Sequence, residues 1–383
     1  MKIGVVGAGA AGSYASYLLA EKGEEVTLFD HKVPWEKPCG GGVTWKGIKS
    51  FPFLKDNALQ PSLATEVKFI SPEDNSQLIS LPDPIYTFSR KKLGSYLLHK
   101  AEEAGAHHRK ERVLKVRENA QGWEIITNES SYPCDLLIGA DGAQSIVRRM
   151  LGIKLDKNRW CLGLLALAQG DFGSTLIIKF VAGLSGYIWI FPRRDVASIG
   201  ICSDLTAARI GEMKDTLIQF LKRECNFTGS GAQFKSAVIP VVSEEDFKHN
   251  KISGRSWALV GDAAGFADPI TGEGIYYALR SAQLLVESYE NDGFLDYPGR
   301  LKKDFLPHLI TAARLKKKFY TTSFMKRMFF WIGNSPSVKR IVPQVMNGGV
   351  GYVQLKRKLM CLAPLAAAEA LYSTLSRRFS AKK

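Results

Sequence analysis

The sequence predicts an α/β protein: a parallel sheet flanked by helices, an inserted β-rich α+β domain and a helical carboxyl-terminal segment. Three observations carry this. A short apolar strand at Lys2 to Val6 runs into Gly7-Ala8-Gly9-Ala10-Ala11-Gly12 and then a helical pattern. Two later apolar runs, ending at Gly139-Ala140-Asp141-Gly142 and at Gly261-Asp262, show the same change from strand to polar turn to helix start. Between 158 and 252 the texture becomes a series of short β runs. Three like strand ends converge if one Rossmann-type sheet gathers them.

With 383 residues and 45% hydrophobic content, the chain is long enough for two or three structural units. Six scattered cysteines, with no CxxC pair, indicate neither a disulfide framework nor a zinc site, and a reducing, cytoplasmic compartment fits best. No metal ligand set is expected. No run of eighteen apolar residues and no basic leader with an apolar core is found, so secretion and membrane spanning are not expected. Residues 300–383 hold eighteen Lys or Arg against two acids, and so carry the whole basic excess behind the net charge of +15.

Taken in order, the first strand, glycine loop and helix are followed by a second strand, Val26 to Phe29, that ends in Asp30. In this dinucleotide fingerprint Gly7 allows a tight turn, Gly9 lets backbone approach a pyrophosphate, and Gly12 lets helix and strand pack closely; Asp30 accepts the ribose hydroxyls. The fingerprint does not separate FAD from NAD. Lys37-Pro38-Cys39-Gly40-Gly41-Gly42-Val43 is a loop whose glycines suit close approach to something flat, with a small buried cysteine beside a flexible loop as the plainer reading. Residues 43–86 carry β-like runs that extend into a second domain. Ser89-Arg90 opens a helix through Glu103, and Arg90, opposing the helix dipole there, suits an anionic partner. His107 and His108 read as solvated residues between elements. Arg112 to Val116 and Trp123 to Thr127 form a hairpin pair, and Ser145 to Arg149 a helix start.

In the β-rich region, Tyr187-Ile188-Trp189-Ile190-Phe191-Pro192 puts Tyr187, Trp189 and Phe191 on one face of a strand, either a core face or a ligand wall. Further on, Trp257 to Val260 reads as a buried strand. Asp262 at its end accepts hydrogen bonds from a sugar-like chain; Gly272 and Gly274 let backbone approach a flat ring. A helix beginning at Gly274 turns its positive end toward an anion. The tail mixes apolar, aromatic and basic residues in helical segments at Leu301 to Lys318, Thr322 to Ile332 and Tyr352 to Leu362. An anionic membrane surface is the favoured partner of 300–383; with no nucleic-acid motif, nucleic acid ranks below it. The expected domains are therefore 1–157 with 253–299 for nucleotide, 158–252 for substrate, and a basic helical segment at 300–383.

Five separated stretches resemble one family: GAGAAG with Asp30, PCGGGV at 38–43, Arg90 at its helix start, GADG at 139–142, and GDAAGFADPITGEGIYYAL at 261–279. YIWIFP at 187–192 matches the family's substrate-cavity motif YxWxFP. The chain is similar to geranylgeranyl reductases, within the FAD-dependent oxidoreductases built like para-hydroxybenzoate hydroxylase. Hydroxylases of that group usually carry histidine after GDAA, where this chain has Gly265. The resemblance implies FAD held by Gly7, Gly9, Ala11 and Gly12 at the pyrophosphate and Asp30 at the ribose. Arg90 and the Val113 backbone are implied along the adenosine side, and Asp262, Gly274 and Ile275 at the ribityl chain and ring; Asp141, Gly261 and Gly272 complete the expected cofactor contacts. It places Cys39, Gly40, Gly41 and Gly42 near the flavin ring, with Cys39, Tyr187 and Trp189 as catalytic candidates. The function it implies is saturation of C=C bonds in an isoprenoid lipid substrate, a polyprenyl (geranylgeranyl-type) chain on a lipid, diphosphate or quinone, by hydride transfer from reduced flavin; the basic tail adds the expectation of a cytoplasmic enzyme, peripheral at the membrane. Electrons would come from NAD(P)H or a reduced carrier protein such as ferredoxin. A flavin monooxygenase or halogenase on the same fold, and a non-catalytic lipid-binding or electron-carrying flavoprotein, are the alternatives.

Overall fold

The computed structural model describes residues 1–207, 209–225, 227, 232–289 and 293–380; the last three residues of the basic segment lie outside the described residues. Two compact units are present. The first joins Met1–Pro38, Ser89–Cys161 and Val238–Ala313; the second joins Cys39–Phe88, Leu162–Ala237 and the chain from Arg314 onward. Residues 43–86 thus lie in the second unit, and 238–252 in the first.

The first unit is built on a five-stranded parallel sheet. Its strands are β1 (Lys2–Val6), β2 (Glu25–Phe29), β3 (His107–Arg109), β4 (Leu136–Gly139) and β5 (Trp257–Leu259), in the order β5-β4-β1-β2-β3. Runs such as Leu136-Leu137-Ile138 are buried throughout, as a sheet covered on both faces requires. Four helices matter to the site: α1 (Ala10–Ala20), α2 (Arg90–Glu103), α3 (Ile146–Met150) and α4 (Ile275–Ser288). Helix α1 packs against both α2 and α4. Val113–Asn119 and Gly122–Thr127 pair as the expected hairpin, and Ser131–Cys134 extends them to a three-stranded sheet.

His107 is exposed, as read from the sequence, but the structure corrects the solvation of His108 and the placement of both His107 and His108. They are not between elements but begin β3, pairing with Thr27 and Leu28. The His108 side chain is largely buried, with Nε2 3.2 Å from the Asp30 carbonyl and Nδ1 3.5 Å from Glu102. A three-residue edge strand is too short for its alternation to be read from sequence.

The second unit is organised around an eight-stranded sheet in which Leu176–Phe180 pairs antiparallel with Tyr187–Arg193 and parallel with Ser62–Ile70. The amphipathic helix Ile210–Cys225 buries Met213, Leu217, Phe220 and Leu221, one stripe at helical spacing, and packs against Val196–Asp204. The tail is helical as expected, but its bounds differ. Leu301 to Lys318 is interrupted near Asp304, the later part being α5 (Leu306–Phe319); α6 (Thr322–Asn334) and α7 (Pro336–Lys339) follow. Met325, Phe329 and Ile332 of α6 join Val67, Phe69 and Phe180 in one core. Lys316 is buried in an ion pair with Asp204, so part of the tail's charge is structural.

The last helix, α8 (Tyr352–Ser380), runs on through Pro364 instead of ending near Leu362. Over Tyr352–Ser376 it is long and apolar enough, by length and composition, to cross a membrane, which corrects the expectation that no segment qualifies.

Candidate active site

Three strand ends of the parallel sheet meet. At the end of β1, Gly7 has φ +102°, and a Cβ there would come within 2.5 Å of the Ala140 carbonyl beyond β4. A Cβ on Gly12 would lie 1.8 Å from the Gly7 carbonyl, so the loop and α1 approach to a distance that only glycine permits. Gly261, past β5, has φ +56°, and its Cβ would sit 3.1 Å from that of Ala11. The sheet therefore gathers the glycine loop, GADG and GDAA as the sequence predicts.

The helix starts facing these turns divide into two kinds. Helices α2 and α3 are closed by serine side chains: Ser89 accepts from Lys92 N at 3.2 Å and Ser145 from Arg148 N at 2.9 Å. Helices α1 and α4 begin at Gly9 and Gly274, with no side-chain cap and no acid in the first turn. Their leading N–H groups are suited to an anionic ligand. A Cβ on Gly9 would meet no protein atom within 4 Å, and Arg90 Nε is buried without a hydrogen-bond partner. These features fit FAD: phosphate oxygens for the start of α1, the ribityl chain and ring for the start of α4, and a polar acceptor for Arg90.

Asp30 stands at the end of β2, where its carboxylate accepts from Ala8 N at 3.0 Å and from Lys32 N at 2.8 Å, holding the glycine loop to the next strand. Val113 opens the hairpin opposite Thr127. Asp141 turns its carboxylate to the start of α3, accepting from Ser145 Oγ and Ile146 N, both at 2.5 Å, and from Val147 N at 3.2 Å. Burial pushes this carboxyl above the usual range, opposed by those hydrogen bonds. Asp262 carries an ion pair to Lys37 Nζ at 2.9 Å, and Gly274 stands against it, its Cβ position 3.4 Å from Asp262 Oδ1. Gly272 has φ +71°, and Ile275 is buried in the first turn of α4.

Several residues that hold this site were missed from sequence. Glu36 accepts from Ser89 Oγ at 2.7 Å and from the Arg90 and Lys91 N–H groups at 3.0 Å, fixing the start of α2. Arg148 is buried and donates to the carbonyls of Ala143 at 2.5 Å and Ala263 at 2.8 Å, tying GADG to GDAA. Its position one turn after GADG is the available signal. Asp268, also buried, accepts from Ile270 N at 2.8 Å and Thr271 N at 2.9 Å and pairs with His308 of α5 at 3.3 Å. Burial by itself would raise the Asp268 carboxyl, but His308 and the two N–H groups outweigh it and hold it below its usual value.

In the second unit, Cys39, Gly40, Gly41 and Gly42 lie against the strand that carries Tyr187, Trp189 and Phe191. Cβ atoms on Gly40 and Gly42 would fall 2.9 and 3.1 Å from the Phe191 ring; Gly41 has φ +75° and faces Arg193, with Nη2 2.7 Å from its Cβ position. The Cys39 carbonyl accepts from Arg193 Nη2 at 2.9 Å and from Ser198 Oγ at 3.1 Å, and Trp189 Nε1 donates to Ser198 Oγ at 3.2 Å. Tyr187 and Trp189 are in edge contact, with ring centroids 6.0 Å apart, and Trp189 is seated over Gly200, where a Cβ would collide with the indole at 2.2 Å. Trp189 is buried in a cluster with Leu165 and Cys202, and Tyr187 and Phe191 pack against it, so this aromatic face belongs to the sheet's core and is joined to the cysteine loop by hydrogen bonds. Neither Arg193 nor Ser198 belongs to a recognisable motif, and they are found here through strand register.

A Rossmann-type sheet with a dinucleotide cradle and uncapped helix starts is the architecture of an FAD-dependent oxidoreductase. A family model for an FAD binding domain matches residues 1–177. The chain is 30% identical over 324 residues to a menaquinone reductase of Mycobacterium tuberculosis, covering 74% of this chain and 75% of that protein. It is 25% identical over 386 residues to the chloroplastic geranylgeranyl diphosphate reductase of Arabidopsis thaliana, covering 89% and 79%. The chain belongs to the geranylgeranyl reductase family. Among solved structures, a geranylgeranyl bacteriochlorophyll reductase-like protein of Thermoplasma acidophilum shares its fold, with TM-score 0.77 at 21% identity over 94% of this chain and 98% of that one. A flavin-dependent brominase shares it with TM-score 0.69 at 18% identity, over 91% and 94%.

Proposed function

We propose that this enzyme saturates C=C bonds of a polyprenyl chain carried on a lipid, diphosphate or quinone head group. The observation that carries the reading is the union of PCGGG with YIWIFP: Gly40 and Gly42 seated on Phe191, and the Cys39 carbonyl held by Arg193 and Ser198. An apolar aromatic wall beside a fixed cysteine suits a hydrocarbon substrate. Burial of about 0.8 kcal/mol per methylene lets the tail of such a substrate supply the binding energy that positions the reacting bond.

Bound FAD, once reduced, supplies hydride. An isolated alkene is a poor hydride acceptor, so the chain's own residues must deliver a proton and exclude water. The Cys39 thiol and the Tyr187 hydroxyl are the groups assigned to the proton. Trp189, its Nε1 committed to Ser198, is the aromatic ring assigned to positive charge developing on the more substituted carbon. One dinucleotide fingerprint is present in the sequence, so the electrons are assigned to NAD(P)H docking transiently or to a reduced carrier such as ferredoxin.

The second reading, an oxygen-using halogenase or monooxygenase, draws on the shared fold. Gly265 speaks against the histidine form of that chemistry. Its φ is +81°, and a Cβ would fall 2.3 Å from Val242 Cγ1 and 3.2 Å from Leu155. Chemically reduced protein is to be incubated without oxygen with geranylgeranyl diphosphate and with a menaquinone, and the products weighed by mass spectrometry. Gain of two hydrogens per bond in either supports the reading, and Cys39→Ala should lower that turnover while FAD content stays unchanged. No reduced product, together with hydroxylated or halogenated product in air, would sink it.

A further inference from the structure

The two sides of α8 differ in kind. One side is docked: Ala366 and Ala370 are buried, and Glu369 accepts from Ser335 Oγ at 2.5 Å, Ser337 N at 3.1 Å and Ser337 Oγ at 2.7 Å. Ser373 adds a bond to Asn334 Oδ1 at 3.2 Å, so this side is fixed against α6 and α7. At about 100° per residue, the opposite side carries Met360, Leu365, Leu371, Tyr372 and Leu375. These five are 43–76% exposed. The other residues on that side, Cys361, Pro364, Ala367 and Ala368, are also uncharged and exposed. Between Lys358 and Arg377 the single charge is Glu369, and it belongs to the docked side.

We propose that the outward side of α8 inserts into the acyl-chain region of a phospholipid bilayer, with the helix lying along the membrane surface. The apolar stripe is about 25 Å long, far more apolar contact than a solvated helix face keeps exposed. Basic residues bracket it: Lys356, Arg357 and Lys358, all exposed, stand before it, and Arg377-Arg378 follow it in sequence. That is the order of charges that anionic head groups accept at the two ends of an interfacial helix. A second copy of the chain is the weaker occupant, because the stripe lacks polar side chains to fix a register. Lying is favoured over crossing because the docked side is tied to α6 and α7 through Glu369 and Ser373. Insertion differs from attraction of the basic tail to charge alone: it survives salt and does not require anionic lipid. The proposal stands apart from the flavin reading.

The test is flotation of the full-length protein with vesicles of phosphatidylcholine, with and without phosphatidylglycerol, in low and high salt. Flotation with both vesicles that persists in high salt is expected, and is lost when Leu365→Glu, Leu371→Glu and Leu375→Glu are combined. Circular dichroism checks that the variant remains folded. Because that variant can fail to fold, a second measurement places an environment-sensitive fluorophore on Cys361 in a chain carrying Cys39→Ser and Cys225→Ser. A blue shift on adding vesicles, quenched by lipids spin-labelled in the acyl chain, is expected. Flotation confined to anionic vesicles and released by salt, an unshifted fluorophore, or a concentration-dependent dimer that does not float would each overturn the proposal.

Discussion

A guanidinium buried to 6% exposure is an unusual neighbour for a glycine loop, and Arg193 earns its place through two carbonyls. Its Nη2 donates to Cys39 O at 2.9 Å and Gly40 O at 3.0 Å, while Gly41 leaves room for it by lacking a Cβ. Arg193→Met keeps the length of the side chain and removes those donors, leaving the Gly40 carbonyl without that partner, at roughly 1–3 kcal/mol, and the Cys39 carbonyl held by Ser198. Displacement of Cys39 by even an ångström is expected to lower turnover by roughly tenfold to a hundredfold. FAD content should hold, because the glycine loop, Asp30 and both uncapped helix starts belong to the other unit. The check is the rate of Cys39 alkylation by iodoacetamide beside kcat: faster alkylation with lower kcat is expected, and unchanged values of both would rule out a positioning role for Arg193.

At the scale of elements, the turn from Gly265 to Gly274 is fixed by Asp268, which accepts from the Ile270 and Thr271 N–H groups and pairs with His308 on α5. A carboxyl held below its unfolded value stabilises the fold above that value and stops doing so as pH falls through the folded one. Asp268→Asn should therefore cost roughly 2 kcal/mol at neutral pH. The gap from the parent protein should close from about pH 3.9 downward, read as urea midpoints against pH. A constant gap across that window would place the effect elsewhere. Such elements were unequally legible in the sequence. The cofactor strand ends, the start of α2 at Ser89-Arg90 and the aromatic face of Tyr187 to Phe191 could be read because glycine, capping residues and period-two alternation are local signals. Pairings such as Asp268 with His308, Arg148 with Ala263, or Arg193 with Cys39 could not, because they depend on which distant strands and helices meet. His108 was lost to the shortness of β3, and the run of α8 through Pro364 was hidden by a residue that usually ends a helix.

For the molecule as a whole, the division into two units makes its own prediction. The first unit holds the parallel sheet, the fingerprint, Asp30, Arg90 and the turn at Asp262, whereas the second is built on a separate eight-stranded sheet with a core that includes Val67, Phe69, Phe180 and Phe329. A ligand that binds the native state stabilises what it touches, by about 2.7 kcal/mol at a hundredfold excess over its Kd. Removal of FAD should therefore raise hydrogen exchange selectively in the first turns of α1 and α4 and in the loops after β2, β4 and β5. The ladder between Tyr187–Arg193 and Val196–Asp204 rests on its own backbone bonds and on the seating of Trp189 over Gly200, and it should keep its protection. Mass-spectrometric exchange on holo and FAD-stripped protein reads both regions at once. Loss of protection in that ladder as large as at α1 would mean that the second sheet depends on the cofactor for its stability, contrary to the independence of its core.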